Sequence, residues 1–161
     1  MNGGFHMIFS CLFAVADIHK AKAFYEDLFH LTVSDDYGRM ISFDCGLVLQ
    51  QDFDWLTGIP KVEMKKKENN CEIYFETKDF DTFLQKLKSH PEIDLLHPSR
   101  EMPWGQRVIR FYDPDQHLIE VGESMKSVAE KYITAGMTLD EIAIRMDVKV
   151  PDVQKMLSEA N

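Results

Sequence analysis

The sequence has few cysteines, and none of them form a metal-binding or disulfide pattern. Cys11, Cys45 and Cys71 include no Cys-x-x-Cys pair, and their number is odd. A disulfide framework normally needs an even number of cysteines in a small secreted domain. Each cysteine lies in a strand-like segment, so we expect reduced core thiols in a cytoplasmic protein.

The sequence also lacks a long apolar run, a basic excess and a glycine-rich phosphate loop. No stretch is long enough to cross a bilayer. The apolar segment up to Ala16 has no basic leader, so we expect a first strand there and not a signal peptide. The 18 basic and 27 acidic residues give a formal net charge of −9, which opposes general nucleic-acid binding. We expect neither a membrane nor nucleic acid as a partner.

What the chain does contain is the same order of predicted elements twice. Asp17 and Asp79 are typical N-caps for amphipathic helices over residues 18–29 and 80–90. A strand pattern precedes each helix, at 9–16 and 71–77, and three strand patterns follow it. The offset between the caps is 79 − 17 = 62 residues. Two βαβββ modules whose sheets close around a shared concavity explain this repeat and predict an α+β fold with a cupped mixed sheet.

The later strands complete the two modules. The first half has strand patterns at 32–37, 39–43 and 47–51, and the second at 93–97, 108–112 and 117–122. Residues 52–70 contain Gly58, Pro60 and three consecutive lysines. This composition predicts a long connection, either a solvated loop or a lid.

Helical segments are predicted at 127–135, 139–146 and 151–160, with Thr138 as a cap and Pro151 in a first turn. Their apolar spacing is typical of a helix-turn-helix. From residue 126 onward there are five bases and six acids, 5 − 6 = −1, whereas a DNA-reading module is normally basic. We expect these helices to pack on their own domain or bridge a dimer.

The segment 103–123, PWGQRVIRFYDPDQHLIEVGE, predicts strand, tight turn and strand. Pro114 suits the first central position of a type I turn. Glu120 lies among the apolar residues Leu118, Ile119 and Val121. A carboxylate is costly to bury alone, so Glu120 needs a metal, a cation, a hydrogen-bond network or a pocket open to water.

The segments FAVADIHKAKAFYEDLF and RFYDPDQHLIEVGE resemble the vicinal oxygen chelate superfamily. That superfamily includes glyoxalase I, fosfomycin-resistance enzymes, extradiol dioxygenases and bleomycin-resistance proteins. The resemblance implies a glyoxalase-like domain at 6–124, followed by the helical extension at 125–161. It also implies paired modules forming a cup, usually in a homodimer, with a divalent metal on the strands lining that cup.

Three metal-ligand positions follow from the resemblance. They fall at Ser10, where His or Gln is usual, at Glu72, where His is frequent, and at Glu120, where Glu is usual. The further acid of glyoxalase I falls among Leu49, Gln50 and Gln51. Mn²⁺, Mg²⁺, Ni²⁺ and Zn²⁺ are the candidate ions, and oxygen ligands favour the first two. The alternatives are a hydrogen-bonded carboxylate, or a metal-free acid/base pair of Glu72 and Glu120 with one raised pKa.

The remaining candidates are substrate-binding residues. Arg107 shares strand parity with Ile109 and Phe111, and we expect it to reach the cup and bind an anionic group of the substrate. The alternative is an arginine that neutralises Glu120 or Glu72, which would remove the need for a metal. Tyr74 and Trp104 are expected to wall the pocket or to pack in the core.

These residues and the resemblance predict a glyoxalase-like enzyme, a lyase or isomerase in which Glu72 and Glu120 hold a metal or exchange a proton. The alternative function is a metal-free protein that binds a small molecule, like the bleomycin-resistance proteins. A third is a regulator that uses the helical extension. Ser10 at the first ligand position and the missing fourth acid favour the second.

Overall fold

The computed structural model describes residues 9–158, which form two compact units. The first contains the residues up to Glu68 together with Asp113–Gln116, and the second contains Asn69–Tyr112 and the residues from His117 onward. The predicted domain start at residue 6 and the predicted end of the last helix at Ala160 lie outside the described residues.

The first unit is a βαβββ module. Its elements are β1 (Cys11–Val15), α1 (Ile18–Phe29), β2 (Val33–Asp36), β3 (Met40–Phe43) and β4 (Leu47–Gln51), followed by α2 (Phe53–Thr57) and a 3₁₀ turn at Lys61–Glu63. The sheet order is β1-β4-β3-β2, with β1 parallel to β4 and the other pairs antiparallel.

Helix α1 begins and packs as its sequence predicts. Asp17 Oδ1 accepts hydrogen bonds from the backbone N–H groups of His19 and Lys20, which satisfies donors that a helix start leaves free. The residues buried along its inner face are Ile18, Ala21, Tyr25 and Leu28. This stripe at helical spacing packs on the sheet core of Ile41, Phe43 and Leu49.

The turn Asp113–Gln116 belongs to the first unit and is held there by side chains. The Tyr25 hydroxyl donates to Asp113 Oδ2 at 2.8 Å, and the Ala16 N–H donates to Asp115 Oδ1 at 2.8 Å. Burial, and then the nearby Asp113 carboxylate, hold the pKa of Tyr25 well above its usual value. Tyr25 therefore stays a neutral donor to the turn.

The second unit repeats the module. It contains β5 (Ile73–Thr77), α3 (Phe80–Lys88), β6 (Leu95–Glu101), β7 (Arg107–Tyr112) and β8 (Leu118–Glu123). Its sheet order is β5-β8-β7-β6, with β5 parallel to β8. This order matches that of the first unit position by position, so the predicted α+β class with paired βαβββ modules is confirmed.

Three helices follow β8, as the sequence predicts: α4 (Met125–Thr134), α5 (Leu139–Met146) and α6 (Val150–Ser158). They share an apolar cluster formed by Val128, Ala129, Tyr132, Ile142, Ala143, Met146 and Val153. A capping box of Thr138 and Glu141 starts α5. We call these three helices the extension. Across residues 9–158, no helix is both long and apolar enough to pass through a bilayer.

Two element predictions differ from the structure. Strand β6 is shifted to Leu95–Glu101 and includes Pro98, which is tolerated because β6 lies at the sheet edge. Residues 52–70 are not only a connection, because α2 forms within them. Asp52 has the residue type of a helix cap, but it is left-handed at φ 55° and makes no side-chain cap bond to α2.

The cysteines do not lie in the core. Cys11, Cys45 and Cys71 are all exposed, so the expectation of core thiols is wrong.

Candidate functional site

The sheet of the second unit has one face packed on α3 and one face that carries polar side chains. On the α3 face, Phe83 stacks on Phe111 with ring centroids 6.3 Å apart. Strand register places Tyr74 opposite Glu120, and Glu120 opposite Arg110. Directly paired residues point to the same side of a sheet. We use the term polar face for the opposite side, which carries Glu72, Tyr74, Glu76, Arg110 and Glu120.

Arg110 connects the two predicted carboxylates on this polar face. Its Nε donates to Glu72 Oε2 at 2.8 Å, and its Nη2 forms an ion pair with Glu120 Oε2. The side chains of Glu120 and Arg110 are 7% and 18% exposed, whereas that of Glu72 is 34% exposed. A buried carboxylate needs a compensating charge, and Arg110 supplies it for Glu120.

This set of side chains does not fit a divalent metal. Glu72 and Glu120 both share the guanidinium of Arg110, so a cation already lies between the carboxylates that would be its ligands. Within residues 9–158, no group of three or more His, Cys, Asp or Glu side chains is placed to hold a metal ion. Ser10 is exposed, precedes β1 and belongs to the first unit.

A chain of hydrogen bonds fixes Tyr74 beside this ion-pair cluster. Trp104 Nε1 donates to Gln106 Oε1 at 3.0 Å, Gln106 Nε2 donates to the Tyr74 oxygen at 2.8 Å, and the Tyr74 hydroxyl donates to Glu76 Oε1 at 2.8 Å. Partial burial and the Glu76 carboxylate raise the pKa of Tyr74 to about 12, although the hydrogen bond from Gln106 opposes the shift. Tyr74 is therefore a neutral hydroxyl at physiological pH, and the residue is 46% exposed.

Gly122 makes room for the amide in this chain. A Cβ at position 122 would lie 2.6 Å from Gln106 Nε2 and 3.1 Å from the Tyr74 oxygen. The same Nε2 donates to the backbone carbonyl of Glu123 at 2.8 Å. The side chain of Gln106 is thus buried and makes three hydrogen bonds, through which it positions both Trp104 and Tyr74.

Arg107 has the parity of Ile109 and Phe111, as predicted, and this parity places it on the α3 face and not on the polar face. Its Nη1 donates to Asp81 Oδ1 at 2.8 Å, its Nη2 lies 3.1 Å from Glu123 Oε1, and its guanidinium lies 5.1 Å from the centre of the Phe80 ring. Arg110 occupies the place that was expected for Arg107. The neutralising arginine considered as an alternative is therefore present, but three residues further along the chain.

Arg110 was missed, although the hairpin carries a signal for it. Residues paired across an antiparallel hairpin have a constant sum, and here Tyr112 pairs with Leu118, 112 + 118 = 230. The partner of Glu120 is then residue 230 − 120 = 110. The correct register of the turn is therefore enough to predict that Arg110 pairs with Glu120.

In the first unit, the residues that correspond to Tyr74, Glu120 and Arg110 carry no charge. The offset of 62 residues aligns Leu12 with Tyr74, and Leu12 pairs with Val48, which pairs with Ser42. Val48 is thus the counterpart of Glu120, and the three positions expected for a further acid, Leu49, Gln50 and Gln51, lie after it. The charged cluster is a property of the second unit.

Comparison with known proteins identifies the family. The model of the glyoxalase-like domain matches residues 8–126. A protein of unknown function from Agrobacterium tumefaciens str. C58 is 35% identical, with a TM-score of 0.65 over 76% of this chain and 98% of that one. Two further solved structures share the fold. Lactoylglutathione lyase from Agrobacterium tumefaciens is 22% identical (TM-score 0.55, 73% of this chain and 92% of that one). A fosfomycin resistance protein from Mesorhizobium loti is 20% identical (TM-score 0.55, 80% and 99%). The chain therefore belongs to the glyoxalase-like domain family of the vicinal oxygen chelate superfamily.

Proposed function

We propose that the chain binds a small molecule at the polar face without the help of a metal ion. The observation that supports this most is the position of Arg110, which pairs with both Glu72 and Glu120. A metal ion held by both carboxylates would have to displace the Arg110 guanidinium that they share. The polar face then offers a rigid, charge-paired surface in place of open coordination positions.

The polar face favours a particular class of ligand. Arg100 joins this face through its pairing with Val108. The two bases and three acids (Arg100 and Arg110 against Glu72, Glu76 and Glu120) give a local charge of 2 − 3 = −1. The half-exposed ring of Tyr74 lies beside them. An aromatic ring next to excess negative charge suits an organic cation or a neutral hydrogen-bond donor. An anionic ligand at Arg110 would have to displace a glutamate from its guanidinium.

A ligand-dependent melting screen tests this proposal with organic cations, neutral aromatics and carboxylates. A ligand at 100 times its Kd adds about 2.7 kcal/mol to the free energy of unfolding, enough for a clear Tm shift. We expect cations or neutral donors to raise the Tm, Tyr74→Ala to abolish the shift, and Arg107→Ala on the opposite face to keep it. Stabilisation by carboxylates alone would contradict the proposed ligand class.

The competing function is a metal-dependent lyase or isomerase. It is supported by two carboxylates that reach the same face from strands far apart in sequence, and it requires Arg110 to release both. Titration of the metal-free protein with Mn²⁺, Mg²⁺, Ni²⁺ and Zn²⁺ separates the two functions. Binding at micromolar levels that Glu120→Gln weakens would support the enzyme.

We also propose a cytoplasmic homodimer, as the family resemblance implies. Sedimentation equilibrium tests the dimer directly, because one chain has a mass of 18.7 kDa.

The regulator hypothesis is disfavoured by the weak negative charge of the extension. An absence of DNA binding at low salt, where electrostatic affinity is greatest, would exclude its DNA-binding form.

A further inference from the structure

The loop that carries Trp104 and Gln106 is a tight turn between β6 and β7. The Met102 N–H donates to the Gln106 carbonyl and the Gly105 N–H donates to the Met102 carbonyl, both at 2.8 Å. Gly105 adopts φ +89°, a left-handed conformation that favours glycine. The backbone of this loop therefore has a defined shape, and its side chains start from fixed positions.

Helix α4 of the extension packs directly on this loop. A Cβ at Gly105 would lie 1.8 Å from the Tyr132 oxygen and 2.8 Å from Cζ. The end of the Tyr132 ring thus fills the space that a side chain at position 105 would need. Glycine is required here for close approach as well as for backbone conformation.

Helices α4 and α5 hold the same loop from its other end. Arg145 Nη1 donates to the Pro103 carbonyl at 2.7 Å, and Arg145 Nη2 lies 3.4 Å from Glu101 Oε1. Lys131 Nζ lies 3.6 Å from Glu101 Oε2. Exposed ion pairs contribute little to stability, so the effect of these contacts is mainly on the geometry of the loop.

We infer that the extension is a positioning element for the polar face. Its contacts with residues 101–105 set the loop, the loop sets Trp104 and Gln106, and Gln106 orients Tyr74 through its 2.8 Å hydrogen bond. Arg145 is then a positioning residue that acts on Tyr74 through Pro103 and Gln106. The functional meaning of this inference rests on the proposed function, whereas the mechanical coupling does not.

Tryptophan fluorescence tests the coupling without any ligand. The chain has two tryptophans, so Trp55→Phe leaves Trp104 as the only source of tryptophan fluorescence. In that background we expect Arg145→Ala to increase acrylamide quenching of Trp104 at least twofold, with unchanged far-UV circular dichroism. Arg145→Lys should restore part of the protection. Lys155→Ala, which removes an exposed base from α6 of the same extension, should leave quenching unchanged.

Unchanged quenching in Arg145→Ala would overturn the inference. A second variant, Glu101→Gln, removes both ion pairs but keeps the bond from Arg145 to Pro103. It should give a smaller increase than Arg145→Ala, and an equal or larger one would contradict the route through Pro103. The proposed function and the coupling can fail separately. If no compound in the melting screen stabilises the protein but Arg145→Ala still increases the quenching of Trp104, the proposed function is contradicted and the coupling stands.

Discussion

Arg110 lies directly opposite Glu120 across the antiparallel pair of β7 and β8, and its guanidinium forms an ion pair with that buried carboxylate. The same guanidinium donates to Glu72 Oε2 at 2.8 Å. One arginine thus forms ion pairs with both acids that the family resemblance assigns to a metal.

Removal of Arg110 should destabilise the protein strongly. Arg110→Ala leaves Glu120 buried without a compensating charge, and breaking a buried pair in this way costs about 3 kcal/mol or more. Urea unfolding followed by circular dichroism measures the loss. Arg110→Met with Glu120→Leu should recover most of it, because an apolar pair carries no desolvation cost. A loss below about 1 kcal/mol in the single variant would mean that the pair is hydrated.

Tyr74 should titrate unusually late. Its pKa of about 12 lies above the ordinary value of 10.0, so the folded state favours the neutral hydroxyl. The stability that this shift contributes is fully present below pH 10 and is lost as the pH rises towards 12. The absorbance difference at 295 nm between the protein and Tyr74→Phe measures the titration. A midpoint near 10 would show that the Tyr74 hydroxyl is neither desolvated nor hydrogen-bonded to Glu76.

Arg107 should contribute to the stability of the protein but not to ligand binding at the polar face. Arg107 contacts Asp81 and Glu123 on the α3 face, so Arg107→Ala should lower the free energy of unfolding by about 1–3 kcal/mol, as for other charged hydrogen bonds. It should leave the Kd of a ligand found in the melting screen within about twofold. A large change in Kd for Arg107→Ala would place the ligand on the α3 face.

The turn between β7 and β8 should become more stable with glycine. Gln116 adopts φ 73°, a conformation that costs a residue with a Cβ roughly 1–2 kcal/mol and that glycine adopts freely. Gln116→Gly should therefore raise the free energy of unfolding by about 0.5–1 kcal/mol after the entropy cost of glycine. Thermal unfolding measures the gain, and a loss of stability would show that the Gln116 side chain contributes contacts of its own.

An element is predicted most accurately where a local signal, such as a helix cap, agrees with the burial that packing on the sheet requires. Asp17 as a cap and a stripe at helical spacing place α1 at Ile18–Phe29, the range predicted. Strand β6 was misplaced because its pairing with β7 is irregular between Leu95 and Arg100. No local pattern records such shifts at a sheet edge.

The site was predicted in part. Glu72, Tyr74 and Glu120 lie on one face, as strand alternation requires. The sequence alone does not determine which face of the sheet Arg107 occupies, because the face depends on the register of the hairpin between β7 and β8. The contacts of Gln106 with Tyr74, and of the loop with Tyr132 and Arg145, join segments whose proximity has no signal in sequence spacing.

The central claim is that Arg110, and not a metal ion, holds Glu72 and Glu120 together. Isothermal titration of the metal-free protein with Mn²⁺, Mg²⁺, Ni²⁺ and Zn²⁺ tests it most directly. We expect no stoichiometric binding at micromolar concentrations, in the protein or in Glu120→Gln. Binding of one ion per chain that disappears in Glu120→Gln would contradict the account.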